Sequence, residues 1–457
     1  MNIILNTDSY KTSHFVQYPE GTTNVFSYIE SRGGEYDHTV FFGLQAFIKE
    51  YLLKPITKAD IDEAEEIYQL HGVPFNRQGW EHILTAHNGL LPLKIKAVKE
   101  GTIVPTHNVL VTVENTDPNL PWLTSYVETA LLRAVWYPTT VATISHSIRK
   151  VIKSRLESTS DSIDGLDFKL HDFGARGVSS LESAGLGGLA HLVNFKGTDN
   201  VPALIYARKY YGEHMAGFSI PASEHSTITS WGQEHETDAY ANILKQFAKP
   251  GALVAVVSDS YDLFNAVENI WGGTLRQQVI DSGATVVIRP DSGNPADMVT
   301  KTAVLLDKQF GHTVNKSGHK LINNVRIIQG DGINEQSIKD ILARLQMLGY
   351  SADNVAFGMG GALLQHMNRD TQKFAMKASA AKVNGEWRDV FKDPITDFGK
   401  RSKKGRLDLF YNHITNTYST AREHEDHIHN RMLETVYENG KLIRDQSLTE
   451  IREIAKL

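Results

Sequence analysis

Three carboxylates lie directly after apolar, β-rich runs in the second half of the 457-residue chain: Asp259, Asp291 and Asp331. Glycine lies close to two of them, in Asp291-Ser-Gly and in Gly-Asp331-Gly. A carboxylate in such a position can bind sugar hydroxyls or hold Mg²⁺ against a pyrophosphate. A single one often only caps the following helix, so the repetition over three units favours a ligand site.

Two glycine-rich turns belong to the same series, Gly330-Asp-Gly332 and Gly358-Met-Gly-Gly361. Because glycine has no side chain, the backbone there can approach a phosphate, and the N–H groups of a following helix favour an anion. Ordinary turn chemistry explains either turn alone. Their pairing favours phosphate binding.

A histidine beside a carboxylate, His225 after Glu224, opens a run rich in hydroxyl side chains. A histidine at a helix start next to a carboxylate can act as a general base or accept a phosphoryl group. The plainer alternative is a histidine that only satisfies a hydrogen bond in the core.

Aromatic and cationic side chains that suit a flat, anionic ligand occur at further points. Phe173 can stack on a heterocycle, and Arg176 follows it closely; a core phenylalanine and a surface arginine are the alternative. The basic run 400–406, with Lys377 and Lys392, can neutralise a phosphate. Most runs of this kind are solvated loops.

The elements that must position these groups follow from hydrophobic periodicity. Apolar runs recur roughly 30–40 residues apart, and helical periodicity follows each, which is typical of successive β-α units. Uninterrupted apolar strands indicate a parallel sheet buried on both faces, and its carboxyl edge builds the ligand site. We therefore predict an α/β barrel with one anion-binding site. The predicted strands are 252–257, 284–288, 325–328 and 354–357.

The chain is predicted to form two domains. Residues 141–379 would form the α/β barrel. Residues 1–140 and 380–457 mix short strands with helices and are predicted to pack together as a discontinuous α+β domain. Residues 121–155 have the pattern of long helices, with residues 137–140, which include Pro138, as a possible break.

Composition excludes several classes of function. The net charge is −6 with both signs spread along the chain, whereas a nucleic-acid binder usually presents a basic face. The chain has no cysteine, which excludes disulfides, thiolate metal sites and cysteine nucleophiles. We expect no secretory signal at the N-terminus, and no apolar run reaches the about 20 residues of a bilayer span. The expected location is the cytoplasm.

Eight motifs along the chain together form a pattern too specific for chance. They are Thr7-Asp-Ser-Tyr-Lys11, His171-Asp-Phe-Gly-Ala-Arg-Gly-Val-Ser-Ser180, Asn194-Phe-Lys-Gly-Thr-Asp199, Glu224-His-Ser-Thr-Ile-Thr229, Val257-Ser-Asp-Ser-Tyr-Asp262, Ile288-Arg-Pro-Asp-Ser-Gly-Asn-Pro295, Gln329-Gly-Asp-Gly332 and Phe391-Lys-Asp-Pro394. With them the chain resembles, nearly end to end, the type II phosphoribosyltransferases of the nicotinate and nicotinamide phosphoribosyltransferase family, most closely its nicotinamide-using members. The resemblance implies an irregular (β/α) barrel plus a discontinuous α+β domain, in a head-to-tail homodimer with active sites at the interface.

The implied reaction transfers the phosphoribosyl group of phosphoribosyl pyrophosphate (PRPP) to nicotinamide, giving nicotinamide mononucleotide and pyrophosphate in NAD salvage. The resemblance also implies Mg²⁺, with no ligands assigned, and ATP as phosphoryl donor to His225, with Asp259 orienting the ring and Glu224 alongside. Nicotinate is the alternative substrate. A non-catalytic ligand-binding or signalling protein on the same scaffold is a remote alternative.

The resemblance assigns the base to a small set of residues. Phe173 would stack on one face of the pyridine ring, and Tyr10 of the partner subunit would cover the other. Asp199 would accept a hydrogen bond from the carboxamide and would repel the carboxylate of nicotinate. Arg176 and Arg289 would line the base and ribose region.

The remaining roles concern the sugar and phosphates. Asp291 would bind ribose hydroxyls. Ala175 departs from the family pattern, since an aromatic residue is usual there, so tolerance of other pyridines is left open. The residues implied for the 5′-phosphate are Gly330, Asp331, Gly360 and Gly361. The cations implied for pyrophosphate are Arg32, Arg369, Lys377 and Lys392, some of them acting across the dimer.

Overall fold

The computed structural model describes residues 2–396, 401–425 and 430–456. None of the helices formed by these residues is long and apolar enough to cross a membrane. The strands are β1 (Thr22–Ser31), β2 (His38–Val40), β3 (Leu93–Ala97), β4 (Ile103–Pro105), β5 (Val109–Asn115), β6 (Leu170–Asp172), β7 (Gly197–Thr198), β8 (Leu253–Val257), β9 (Thr285–Arg289), β10 (His312–Val314), β11 (Lys320–Ile322), β12 (Val325–Gln329), β13 (Val355–Met359), β14 (Phe374–Val383), β15 (Glu386–Asp389), β16 (Leu407–Asn412), β17 (Thr417–Arg422), β18 (Asn430–Arg431), β19 (Glu434–Glu438) and β20 (Lys441–Leu442). The α-helices are α1 (Leu44–Phe47), α2 (Lys58–His71), α3 (Arg77–Ala86), α4 (Leu123–Tyr126), α5 (Glu128–Thr159), α6 (Leu181–His191), α7 (Val201–Tyr211), α8 (His225–Thr229), α9 (Glu236–Phe247), α10 (Leu263–Asn265), α11 (Arg276–Ser282), α12 (Pro295–Phe310), α13 (Glu335–Met347), α14 (Gly361–Leu364) and α15 (Leu448–Ala455).

The chain divides into two compact units, both discontinuous. Unit 1 comprises Met1–Thr143, Tyr206–His214 and Met367–Leu457; unit 2 comprises Ile144–Ile205 and Met215–His366. The predicted boundary at residue 380 differs from this division, because it falls inside β14, which pairs with β1 along most of its length. A strand cannot leave the sheet in its middle without losing that ladder, and all of β14 lies in the segment Met367–Leu457 of unit 1.

Unit 2 is built on a six-stranded parallel sheet in the order β7-β6-β13-β12-β9-β8. The four predicted strands are present as β8, β9, β12 and β13. A segment outside the sheet bridges its two edge strands: Phe218 pairs with Gly197 of β7, and Ala222 pairs with Ala255 of β8. The sheet therefore curls into an irregular barrel, which confirms the predicted fold class.

The inside of this barrel is filled by a small apolar cluster and one aromatic ring. Ala255, Val287 and Ile328 are buried there, and Phe173 packs against them. The ring lies so close to β13 that a Cβ placed on Gly358 would be 1.9 Å from its Cε2 atom. Glycine at position 358 is therefore required by close approach.

Helix α12 shows how local sequence sets the start of an element beside the site. Asn294 caps the helix by accepting a hydrogen bond from the N–H of Asp297 at 3.1 Å, and Pro295 occupies the first helical position. Gly311 ends the helix. The loop between β9 and α12 is consequently short, and it carries Asp291 at the carboxyl edge of the sheet.

Unit 1 is organised around a seven-stranded sheet in the order β15-β14-β1-β5-β3-β19-β20, in which all pairings are antiparallel. The predicted break of the long helix near Pro138 is wrong, because α5 runs through it without interruption. The Pro138 ring packs against the backbone of Gly43, where a Cβ would lie 2.3 Å from its Cγ atom. The Thr139 hydroxyl also donates to the carbonyl of Phe42 at 3.1 Å. These contacts compensate for the helical hydrogen bond that proline cannot make.

We expect Gly358→Ala to lower the free energy of unfolding by about 1–3 kcal/mol, because the added methyl group overlaps the Phe173 ring in a closely packed interior. Urea unfolding measures this change. Gly165→Ala is the matched control, since the nearest atom to its added Cβ lies at 3.8 Å, and it should change stability by less than about 0.5 kcal/mol. Equal stability of the two variants would contradict the packing assigned to Phe173.

Candidate active site

A cavity of about 300 Å³ lies at the carboxyl edge of the barrel sheet. Its polar lining comes from the ends of β6, β7, β9, β12 and β13, as expected for an open edge of parallel strands. The lining residues are Asp172, Phe173, Ala175, Arg176, Asp199, Arg289, Asp291, Gly330 and Gly360. All predicted base-binding residues of unit 2 are thus brought to one cavity.

The Phe173 ring forms an apolar wall of this cavity and is held from several directions. The Phe173 N–H donates to the carbonyl of Met359 at 3.0 Å. The backbone of Gly358 lies directly against the ring, and a Cβ on Gly330 would lie 3.6 Å from it. The ring is therefore fixed in a position from which it can stack on a flat ligand.

Two carboxylates of opposite environment lie side by side. Asp199 is exposed, and its Oδ1 accepts a hydrogen bond of 2.5 Å from Ser219. Asp172 is completely buried, and its carbonyl accepts the N–H of Asp199 at 3.0 Å. Burial raises the pKa of the Asp172 carboxyl to about 6, with a further contribution from the charge of Asp199, against hydrogen bonds from Asn200 and Gly174. The backbone carbonyl of Asp172 thus holds the N–H of Asp199, while its buried carboxyl accepts from Asn200 and Gly174.

Arg289 and Asp291 form a forked ion pair across the cavity wall. The Arg289 Nη2 lies 2.8 Å from Asp291 Oδ2, and its Nε lies 3.4 Å from Oδ1. Arg176 reaches the same cavity from an exposed turn. The site therefore presents two guanidinium groups and two exposed or half-exposed carboxylates to a ligand.

A histidine group adjoins the cavity through Asp291. His225 Nε2 lies 3.4 Å from Asp291 Oδ2 and 3.7 Å from Asp259 Oδ1, while its Nδ1 lies 3.2 Å from the Ser260 hydroxyl. The Asp259 side chain is 5% exposed, and its Oδ2 accepts hydrogen bonds from the Asp291 N–H at 3.0 Å and the Ser292 hydroxyl at 2.6 Å. The two carboxylates orient the ring of His225. Because the side chain is 46% exposed, the ring is still accessible to a ligand.

Asp331, Gly361 and Glu224, which were also predicted for the site, do not line the cavity. The Asp331 side chain is exposed, and its carbonyl accepts from Gln329 at 3.1 Å. Gly361 faces His366, and Glu224 precedes α8, where it accepts from the Ser226 hydroxyl. Sequence spacing placed all three at strand or helix ends, but the turn in which each lies decides whether it faces the cavity.

Of the four cations predicted for pyrophosphate, Arg32, Arg369 and Lys392 all lie within electrostatic reach of Lys377 in unit 1. Burial lowers the pKa of the Lys377 ammonium, and the charges of Arg32, Lys392 and Arg369 lower it further, against the opposing effect of Glu128. A half-buried ammonium surrounded by three further cations is suited to a multiply charged anion.

The basic run 400–406 has a different character. Lys400 lies outside the described residues. Lys403 pairs with Glu30, and Arg406 contacts Glu114 at 2.6 Å. These two cations therefore contribute to the packing of unit 1. This differs from both predictions for the run, a phosphate site and a solvated loop.

Tyr10 is 60% exposed at the surface of unit 1. Its ring packs edge-on against His14 at 5.1 Å, and the Lys11 ammonium lies 5.2 Å from the ring centre. The Tyr10 side chain is thus accessible at the surface of unit 1 and is supported by two neighbouring side chains.

Four polar residues of the site were not predicted from the sequence. Ser260 and Ser292 each follow a predicted aspartate directly, so their position in the sequence could have indicated that they belong to the site. Asp172 precedes Phe173 in the same motif, but nothing in the sequence marks it as buried. Ser219 carries no signal, because it lies in the segment whose bridges connect the two edge strands.

Comparison with known proteins gives the family. Residues 168–441 match the model of the nicotinate phosphoribosyltransferase (NAPRTase) family, and residues 2–95 match the nicotinamide phosphoribosyltransferase N-terminal domain. A nicotinamide phosphoribosyltransferase of Xanthomonas campestris pv. campestris is 58% identical over 456 residues, which cover 99% of this chain and 97% of that protein. One of Acinetobacter baylyi is 33% identical over 488 aligned positions, covering 98% and 95%.

Solved structures share the fold at low identity. A nicotinate-nucleotide pyrophosphorylase of Pyrococcus furiosus superposes with a TM-score of 0.61 at 17% identity, covering 100% of this chain and 95% of that one. The human nicotinic acid phosphoribosyltransferase gives 0.57 at 17% identity, covering 98% and 92%. From the family match and the identity over nearly the whole chain, we conclude that the chain belongs to the nicotinate phosphoribosyltransferase family, in the branch that carries the nicotinamide phosphoribosyltransferase N-terminal domain.

Proposed function

We propose that this protein transfers the phosphoribosyl group of PRPP to nicotinamide, yielding nicotinamide mononucleotide and pyrophosphate in NAD salvage. The observation that carries the choice of nicotinamide is Asp199, an exposed carboxylate in the same cavity as the Phe173 ring. Among the described residues, no lysine or arginine forms an ion pair with Asp199. An unneutralised carboxylate accepts the amide N–H of nicotinamide and repels the carboxylate of nicotinate.

In the proposed mechanism the pyridine nitrogen attacks C1 of the ribose as the bond from C1 to pyrophosphate breaks. The bonding electrons leave with pyrophosphate, so positive charge develops on the sugar and negative charge on the leaving group. Phe173 holds the pyridine ring flat, and Asp291, fixed by Arg289, binds the ribose hydroxyls. Orientation of two bound reactants in this way removes much of the entropic barrier of a bimolecular step.

The four-cation cluster of unit 1 is proposed to stabilise the leaving pyrophosphate. Arg32, Arg369 and Lys392 each repel the Lys377 ammonium, so a multiply charged anion relieves that repulsion. Preorganised cations of this kind act at the moment when charge develops on the leaving group.

Mg²⁺ bound with the pyrophosphate would neutralise part of the negative charge of this leaving group. The residues that fit such an ion are Asp259 and Asp291. Oδ1 of Asp259 is buried, and it has no hydrogen-bond partner within the described parts of the chain. A carboxylate oxygen of that kind is the donor that a hard cation prefers.

His225 is proposed to accept the γ-phosphoryl group of ATP. ATP loses that group to a ring nitrogen and leaves as ADP, and water later hydrolyses the phosphohistidine. Support comes from the exposed ring, oriented by Asp259 and Asp291. Phosphorylation would add negative charge and acceptor oxygens beside these two carboxylates. The added charge would raise the affinity of this site for Mg²⁺. Glu224, next to His225 in the chain, adds a further carboxylate.

We also propose a head-to-tail homodimer in which Tyr10 of the partner subunit covers the second face of the pyridine ring. The exposed, supported ring of Tyr10 described above is the observation in favour.

A cytoplasmic location, which the cysteine-free composition suggested, stays a prediction.

The first experiment offers nicotinamide and nicotinate in parallel with PRPP and Mg²⁺, and follows the mononucleotide product by mass. We expect nicotinamide to be preferred, and Asp199→Asn to reduce that preference about 10–100-fold, since a hydrogen bond to a charged group contributes about 1.5–3 kcal/mol. Asp340→Asn, an exposed aspartate on α13, is the control and should change nothing. A preference of the unaltered protein for nicotinate would overturn the amide assignment and leave the family intact.

A second test concerns ATP. The ratio of kcat/KM for PRPP with ATP to that without ATP should fall to about one in His225→Ala, because no phosphoryl acceptor remains beside the carboxylates. His235→Asn is the control, since His235 is an exposed histidine paired with Asp238 at 2.8 Å. An ATP effect that survives in His225→Ala would rule out phosphorylation at this residue.

A third test separates binding from stability in the cation cluster. We expect Lys377→Met to lower kcat/KM for PRPP about 10–100-fold. Its unfolding free energy should be unchanged or higher, because burial and three like charges disfavour the ammonium. Steady-state kinetics and urea unfolding give the two quantities, with Lys382→Met on the same strand as control. Lost stability with unchanged kinetics would assign Lys377 a purely structural role.

A further inference from the structure

Two histidines and an aspartate of unit 1 converge on one point, away from the residues assigned above. His82 lies on α3, His87 follows the last residue of that helix, and Asp117 follows β5. The Nε2 atoms of both histidines lie 2.7 Å from the same oxygen, Asp117 Oδ2. Across the described residues, this is the only group of three such side chains whose donor atoms all lie within 4.8 Å of one another.

The carboxylate of Asp117 is held so that one oxygen faces the histidines. Its Oδ1 accepts the N–H of Asn119 at 2.8 Å and the Asn119 side-chain amide at 3.0 Å. The Asp117 carbonyl accepts from Asn115 at 2.8 Å. The side chain is 9% exposed. Burial alone would raise the pKa of Asp117, but the hydrogen bonds from His87, Asn119 and His82 hold it below the usual value, so the group is an anion.

The two imidazoles approach this anion from different directions. Their ring planes are 77° apart, with centroids at 5.7 Å. The side chain of His82 is 36% exposed and that of His87 is 27% exposed, which leaves water access to the point of convergence. Both segments are already held together, because Trp80 of α3 packs edge-on against Trp122 at 5.1 Å.

We propose that His82 Nε2, His87 Nε2 and Asp117 Oδ2 form a site for one divalent transition-metal ion, with Zn²⁺ as the fitting ion and water in the fourth position. Imidazole and carboxylate ligands suit Zn²⁺, whereas Mg²⁺ prefers oxygen ligands alone. Tetrahedral ligands at about 2.0–2.2 Å from an ion lie roughly 3.4 Å from one another. The present 2.7 Å separations therefore require each histidine to move by less than about 1 Å.

On binding, each neutral imidazole would carry its proton on Nδ1, so that Nε2 can coordinate the ion. Three coordinate bonds would then replace the two hydrogen bonds to Asp117, and the ion would tie the end of α3 to the segment after β5. The contacts of Asn119 would then serve as outer-shell support, which orients the ligand and keeps Oδ1 out of the coordination sphere. The site uses none of the residues proposed for catalysis, so it is independent of the proposed reaction.

The test uses the full chain after treatment with a chelator and its removal. Isothermal titration with ZnCl₂ should give one ion per chain with Kd in the micromolar range or tighter, and Zn²⁺ should raise Tm, since it binds the folded state preferentially. In His87→Asn and His82→Asn the affinity should fall at least tenfold and the rise in Tm should disappear. His235→Asn is the control, because a single histidine there pairs with a single aspartate.

Absence of Zn²⁺ binding by the unaltered chain would overturn the proposal, as would binding that His87→Asn and His82→Asn leave unchanged, or loss of binding in His235→Asn. If one asparagine variant fails to fold, the other decides.

Discussion

Asp291 is the residue on which the geometry of the site depends, because three groups hold it at once. Two nitrogens of Arg289 bind its carboxylate, and its backbone N–H donates to the buried Asp259. Its Oδ2 also faces His225. These contacts join the base-and-ribose cavity to the histidine group through a single side chain. They also fix the first residues after β9, so the capped start of α12 and the end of the strand are not independent of each other.

Burial divides otherwise similar carboxylates into different tasks. Asp172 is enclosed, and burial raises its pKa, so it serves the backbone around it; Asp199, one strand away, is exposed and available to a ligand. The Asp259 side chain is almost fully buried, and one of its oxygens accepts hydrogen bonds from neighbouring donors. The same principle acts in unit 1, where Asp117 is kept ionised by the donors packed around it. Charge alone therefore does not define a functional carboxylate; its hydrogen-bond partners do.

Predictions from periodicity were most accurate where one physical cause dominates. The four apolar runs of unit 2 became parallel strands because burial on both faces leaves few other arrangements. The helix break near Pro138 was wrong for a complementary reason: proline weakens a helix locally, but packing against Gly43 and the hydroxyl of Thr139 outweighs that loss. The predicted domain boundary near residue 380 differs from the division at residue 367, since local sequence patterns do not show that β14 pairs with β1.

The amino-acid sequence by itself determined the fold class, the family and the chemical types gathered at the strand ends, because these follow from periodicity and from motifs of adjacent residues. Tertiary structure alone decided which of those residues face one cavity. It turned Asp331 outward, brought Ser219 to Asp199 along the segment that bridges the edge strands, and joined His82, His87 and Asp117 from two separate segments. The physical reason is that side-chain direction depends on turn geometry and on long-range packing, neither of which is encoded in the spacing of neighbouring residues.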